Sequence, residues 1–327
     1  MNINRLSIIF SFTSAAFLSA ALEAQGGRGG GGSTPPADPA IAYVRSGAKS
    51  NLEVMNSDGS NQRALLRGCA AFPSMAPDGR EVAFACLWNG VSGVHAMKSD
   101  GTGLRVVTAT NYTHRTQGAP LFIYPRWSPV PAPDGQRKLL FADMIGPAPA
   151  EFQLYVINID GTGRQQLTAD PAGVAPANEV EWSPDATRIV FRERTGSLQV
   201  GQLAVVGGQL ALSSRINLID GPGHPLAQAT RLSGVGWANT ADVVVVSAET
   251  ADSGGRLDLW LLPLSSLGTA VRLTATTGAD ERNATFSPDD TRIYYHHSSN
   301  GTQVMRSDGV VLGVVNRAAS TPYHRRQ

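Results

Sequence analysis

The chain has 327 residues, 42% hydrophobic, 16% charged and 7% aromatic, with 35 Gly and 20 Pro. That apolar content can fill a core, while so much Gly and Pro would interrupt helices every few turns; disordered, fibrous and helix-rich designs are excluded in favour of short strands joined by tight turns. Twenty-seven Lys plus Arg against 26 Asp plus Glu leave a formal charge of +1, too little for a field that would draw the protein to nucleic acid or an anionic bilayer.

At the start of the chain, Met1 to Arg5 forms a short polar n-region, residues 6–22 an apolar run rich in small residues, and Leu22-Glu23-Ala24 a small-residue cleavage site. This is the pattern of a secretory signal peptide over residues 1–24. Residues 25–39, which include GGRGGGGSTPP, read as a Gly- and Pro-rich flexible linker. The rest, 40–327, contains no further segment of membrane-span length and reads as a periplasmic or secreted β domain.

An internal repeat fills that domain. Its first signature is an apolar or aromatic anchor, then Pro-Asp or its remnant, then a β-rich run. It reads Phe72-Pro-Ser-Met-Ala-Pro-Asp-Gly79, Tyr124-Pro-Arg-Trp-Ser-Pro129 with Pro133-Asp-Gly135, Val180-Glu-Trp-Ser-Pro-Asp185 and Ala284-Thr-Phe-Ser-Pro-Asp289, with a worn copy at Val235-Gly-Trp-Ala-Asn239. The anchors Met75, Trp127, Trp182, Trp237 and Phe286 recur about every 50 residues. A second signature, Asp-Gly between alternating runs, falls half a repeat later at Asp58, Asp100, Asp160 and Asp308, where Gly takes a positive φ without a Cβ clash. Each unit is therefore four antiparallel strands, and such units in series predict an all-β propeller.

Six blades are expected, at about 41–67 with 319–325, 69–109, 123–169, 179–218, 233–274 and 283–316. Ile41-Ala-Tyr-Val44 matches a second strand with no first, whereas Ser320-Thr-Pro-Tyr323 resembles a first strand. The C-terminal strand is thus expected to complete blade one and close the ring, removing two exposed edges.

The pattern Trp182-Ser-Pro-Asp185 and Phe286-Ser-Pro-Asp289, with Asp100-Gly-Thr102 and Asp160-Gly-Thr162, resembles the repeats of the TolB-like six-bladed β-propellers. Similar repeats occur in the propellers of prolyl-oligopeptidase-like and tricorn-type proteases. The resemblance runs from about Ala40 to the C-terminus and departs from TolB in lacking the small α/β domain that precedes the propeller there. It implies the fold; these motifs stabilise turns and packing and do not carry chemistry.

Cys69 and Cys86 flank the Pro77-Asp-Gly79 turn within one position of cross-strand register, in a chain bound for an oxidising compartment, and are expected to form a disulfide. His296 and His297 are adjacent on a strand and face opposite ways, His95 lies on a strand, and His114 and His224 lie in loops. None has metal-motif spacing. Glu179, Asp280 and Glu281 precede inner strands and are the candidate carboxylates for a calcium ion in the central channel. No nucleophile elbow or phosphate-binding loop is present.

The turns at one end of the blades are tight, and the longer connections gather at the other, where binding residues tend to lie. Aromatic and Arg anchors there single out Trp88, His114, Arg115, Arg194, His224 and Arg282. The reading is a monomeric, non-catalytic, extracytoplasmic module that binds an envelope or secreted protein or peptide, with no catalytic residues and no cofactor assigned. Two alternatives stay open: a propeller enzyme of carbohydrate lyase or hydrolase type, and a propeller that holds a small ligand or calcium in its channel.

Overall fold

Each repeat folds into four antiparallel strands because its two turn signals separate apolar or alternating runs. The computed structural model describes residues 40–45, 50–110, 123–145, 151–171, 176–221, 223–266, 268–324 and 326. The proposed signal peptide and linker, and candidates His114 and Arg115, lie outside the described residues.

Blade one contains β1 (Ile41–Arg45), β2 (Asn51–Met55) and β3 (Arg63–Leu66), and blade two β4 (Ala71–Met75), β5 (Glu81–Trp88), β6 (Val91–Lys98) and β7 (Arg105–Ala109). Blade three is β8 (Arg126–Trp127), β9 (Lys138–Ile145), β10 (Glu151–Asn158) and β11 (Gln165–Gln166). Blade four is β12 (Pro176–Trp182), β13 (Arg188–Glu193), β14 (Leu198–Val206) and β15 (Gln209–Asn217). Blade five is β16 (Arg231–Trp237), β17 (Val243–Glu249), β18 (Asp258–Pro263) and β19 (Val271–Arg272). Blade six is β20 (Glu281–Phe286), β21 (Arg292–His297), β22 (Gly301–Arg306) and β23 (Val311–Asn316), and β24 (Ala319–His324) returns to blade one. It pairs antiparallel with β1, from Ile41 opposite His324 to Arg45 opposite Ala319. Six four-stranded sheets result, closed as the sequence predicts. Among the described residues no helix is long and apolar enough to cross a membrane.

The inner strands of blades four to six begin two or three residues before the expected starts, because each carries a bulge that takes up extra residues. The bulge recurs around the ring. Phe72, Tyr124, Gly234, Asn283 and Thr321 take φ values of 43° to 62° at the corresponding step of five inner strands. Phe72, Tyr124 and Thr321 are each followed by Pro, which supplies no ladder donor and is tolerated in a sheet at such a bulge.

The Ser-Pro-Asp element is a hydrogen-bonded turn. The Ser183 hydroxyl donates to Asp185 Oδ1 at 2.6 Å and accepts from the Arg188 backbone N–H at 2.9 Å; Ser287, Asp289 and Arg292 repeat this at 2.6 and 3.0 Å. The Ser287 bond holds the Asp289 carboxyl below the usual range. Blade five, whose copy is worn, borrows its carboxylate from blade six: Asp290 accepts from the backbone N–H groups of Asn239 at 2.7 Å and Thr240 at 2.6 Å.

The repeat aromatics pack between blades and two of them also rivet the backbones. Trp127 Nε1 donates to Ser74 O at 3.0 Å, and Trp182 Nε1 to Arg126 O at 3.1 Å, each reaching the preceding blade. The buried indole N–H of Trp237 has no hydrogen-bond partner among the described residues. An orphaned buried acceptor costs about 1–3 kcal/mol. Trp182→Phe is therefore expected to destabilise by about 1–2 kcal/mol more than Trp237→Phe in urea unfolding; equal losses would remove the rivet from the account.

Candidate functional site

Bringing six inner strands together creates a channel lined from every blade, with Phe72, Tyr124, Arg126, Glu181, Thr285 and Tyr323 among its residues. Its enclosed cavity is about 20 Å³, enough for roughly one water, where small-molecule sites span about 300–1,000 Å³.

Arg126 lies at the centre of this lining. Its guanidinium sits 4.7 Å from the Tyr323 ring centroid and 5.6 Å from that of Tyr124, with Phe72 stacked on Tyr124 at 3.7 Å. Arg126 Nε is 3.3 Å from Glu181 Oε2, and Arg326 Nη1 donates to Glu181 Oε1 at 3.1 Å. Burial pushes the Tyr124 and Tyr323 phenols well above their ordinary range, so both stay protonated donors. Sequence reasoning missed Arg126 and Glu181. The signal was their shared repeat position, immediately before Trp127 and Trp182.

Toward the long-connection end, Glu179 is buried and accepts from Arg192 at 2.7 Å and from the Ser233 hydroxyl at 3.3 Å, joining blades four and five. Arg282, at the start of β20, is 40% exposed and paired with Asp280. It lies close enough to Tyr124 to act on that phenol electrostatically, as Glu179, Arg126 and Arg192 do. Asp280 also meets Arg231 at 3.2 Å and accepts from the Leu257 N–H at 3.0 Å.

Of the carboxylates expected near the axis, Glu179 alone is in the channel lining, and both it and Asp280 are engaged by Arg. Glu281 is fully buried between blades five and six, where it accepts from the Thr274 hydroxyl at 3.0 Å. Burial, with Asp258 and Asp280 nearby, raises its carboxyl above the ordinary range. Among the described residues no group of three or more His, Cys, Asp or Glu side chains converges as a ligand set.

The remaining candidates are dispersed. Trp88 ends β5 and packs, like Cys69, against the core cluster of blades one and two; Cys69 is bonded to Cys86 with Cα atoms 5.4 Å apart, as the register predicts. Arg194, on the next-but-one blade, is tied to Glu151 of blade three at 3.0 Å. His224 is only 6% exposed: its Nδ1 accepts from the Leu226 N–H at 3.0 Å, closing a turn, and burial lowers its basicity. It borders an open groove of about 630 Å³ between residues 195–197 and 217–228. Of the four candidates among the described residues, Arg282 is the one whose charge reaches the channel lining, at Tyr124.

No protein-family model and no curated protein matches the chain. Solved structures do, and TolB from Acinetobacter baumannii aligns with a TM-score of 0.66 over 89% of this chain and 68% of that one, at 19% identity. The fold is the TolB-type six-bladed propeller. A chain of the nidogen/laminin complex matches this TolB-like propeller with a TM-score of 0.59 and 11% identity, over 88% of this chain and 98% of that one. Hydrazine synthase from Kuenenia stuttgartiensis matches with a TM-score of 0.64 and 14% identity, over 88% of this chain and 46% of that one. At these identities the likeness is one of fold.

Proposed function

We propose that this TolB-like propeller is a non-catalytic, extracytoplasmic module that binds a protein or peptide across the long-connection mouth of its channel. The observation that carries the reading is the channel itself. Six blades converge on a lumen with room for about one water, so a ligand must engage the rim. The rim offers Arg282, 40% exposed, whose charge reaches the buried Tyr124 phenol of the channel lining, and Arg is among the side chains that anchor protein interfaces. The Cys69–Cys86 bond fits an oxidising compartment, the periplasm or the exterior.

Selection from a displayed random-peptide library tests this. Enriched peptides are expected to bind the isolated protein, to lose at least tenfold in affinity on Arg282→Ala, and to gain in weight if Arg115→Ala weakens them too. No enrichment, or peptides indifferent to Arg282, would overturn the mouth as the binding surface.

A further inference from the structure

At the opposite end of the channel from that mouth, β12 and β16 end in the tight turns of blades four and five, and a single side chain from beyond β24 enters between them. Arg326 is 4% exposed. Its Nη1 donates to Glu181 Oε1 at 3.1 Å and to Trp182 O at 2.6 Å, its Nη2 to Ala238 O at 3.2 Å, and its Nε to Asn239 Oδ1 at 3.0 Å. All three guanidinium nitrogens are thus used, against one carboxylate, two carbonyls and one amide oxygen.

These four acceptors are held by groups other than Arg326. The Trp182 carbonyl shares its peptide with the Ser183 N–H, which donates to Arg188 O at 2.8 Å, and the Ala238 carbonyl shares its peptide with the Asn239 N–H, which donates to Asp290 Oδ1 at 2.7 Å. Asn239 is oriented by its Nδ2, which donates to Ser287 O at 2.9 Å, and by its backbone bond to Asp290. Glu181 is held by the Trp182 N–H at 2.9 Å and by Arg126. The ring therefore pre-forms the acceptors, and Arg326 supplies only donors. A planar fork with five N–H groups matches such a set, whereas an ammonium, with its donors on one atom, does not span it. Emptied, the cradle would leave four acceptors each short of a donor, with the Trp182 N–H at 2.9 Å left on the Glu181 oxygen.

We infer that this turn-side end of the channel is a guanidinium-binding site, filled in cis by Arg326 and competent to take the arginine side chain of a peptide in trans when residue 326 withdraws. It is separate from the mouth that Arg282 marks, so the two can fail independently.

The test uses the full chain carrying Arg326→Gly, titrated with methylguanidinium and with N-acetyl-arginine amide, followed by calorimetry and thermal unfolding. The variant is expected to melt below wild type and to be restored saturably by millimolar amounts of either guanidinium compound. Methylammonium should bind at least tenfold more weakly, and the wild type, whose site is occupied, should show no saturable binding. Adding Glu181→Gln to Arg326→Gly is expected to weaken guanidinium binding by at least tenfold. If the Gly variant does not fold, Arg326→Gln, which is shorter and uncharged, replaces it. Absence of saturable binding to the variant that folds, equal binding of methylammonium, or equal binding to wild type would overturn the site.

Discussion

Truncation ahead of Ala319 is expected to abolish cooperative unfolding of the propeller. The cut removes β24, the inner partner of β1, and exposes the edge of a strand whose residues Ile41 to Tyr43 are fully buried. It also removes Tyr323 from the face of Arg126 and Arg326 from Glu181, leaving buried charges that were shared among three groups. Tyr323→Ala alone, an aromatic deleted from a core, is expected to cost about 3–5 kcal/mol while leaving a single transition. Against a typical total of about 5–15 kcal/mol, the whole strand exceeds what the fold can lose. Urea unfolding followed by Trp fluorescence decides it: an unchanged midpoint after truncation would mean that the ring does not depend on this closure.

Replacing Cys69 and Cys86 together by Ala is expected to cost about 3 kcal/mol. The bond spans 17 residues of sequence, and the entropy it removes from the unfolded chain is of that size for a loop of this length. Cys86 is buried in the core cluster that also holds Phe84 and Met97, so part of the loss is packing, which dithiothreitol treatment of the intact chain separates from the crosslink. Reduced wild type is expected to approach the double variant in denaturation midpoint. A midpoint indifferent to both treatments would show that the β4–β5 hairpin of blade two is held by its neighbours alone.

The architecture was legible because its signals are local. Asp-Gly and Ser-Pro-Asp each specify a turn within a few residues, and the spacing of Met75, Trp127, Trp182, Trp237 and Phe286 places the blades. The closing strand was legible for the same reason, since Thr-Pro-Tyr323 repeats a short pattern. The channel was not. Arg326 and Glu181 stand 145 positions apart, and the sequence around either offers no sign of the other. Glu179 and Asp280 looked like free axial carboxylates because an Arg partner of each comes from a neighbouring strand or blade, at 13 positions for Arg192 and 49 for Arg231. His224 looked like an exposed loop histidine because the turn it closes is made by its own ring nitrogen, a bond that residue type alone does not announce.

The recurrent left-handed step of the inner strands bears on how this channel could change. Phe, Tyr, Gly, Asn and Thr all occupy it, although only Gly does so without steric penalty, so the backbone path is imposed by the ring and not by the residue. Four of the five positions behave as interchangeable tiles. Polar or aromatic chemistry can be rewritten one blade at a time at Phe72, Tyr124, Asn283 or Thr321, while the anchors that hold the blades together stay untouched; at Gly234 an added Cβ would meet the Asn283 backbone at 2.9 Å, so that tile stays bare. A scaffold of this kind separates inheritance of the fold from diversification of what the channel recognises.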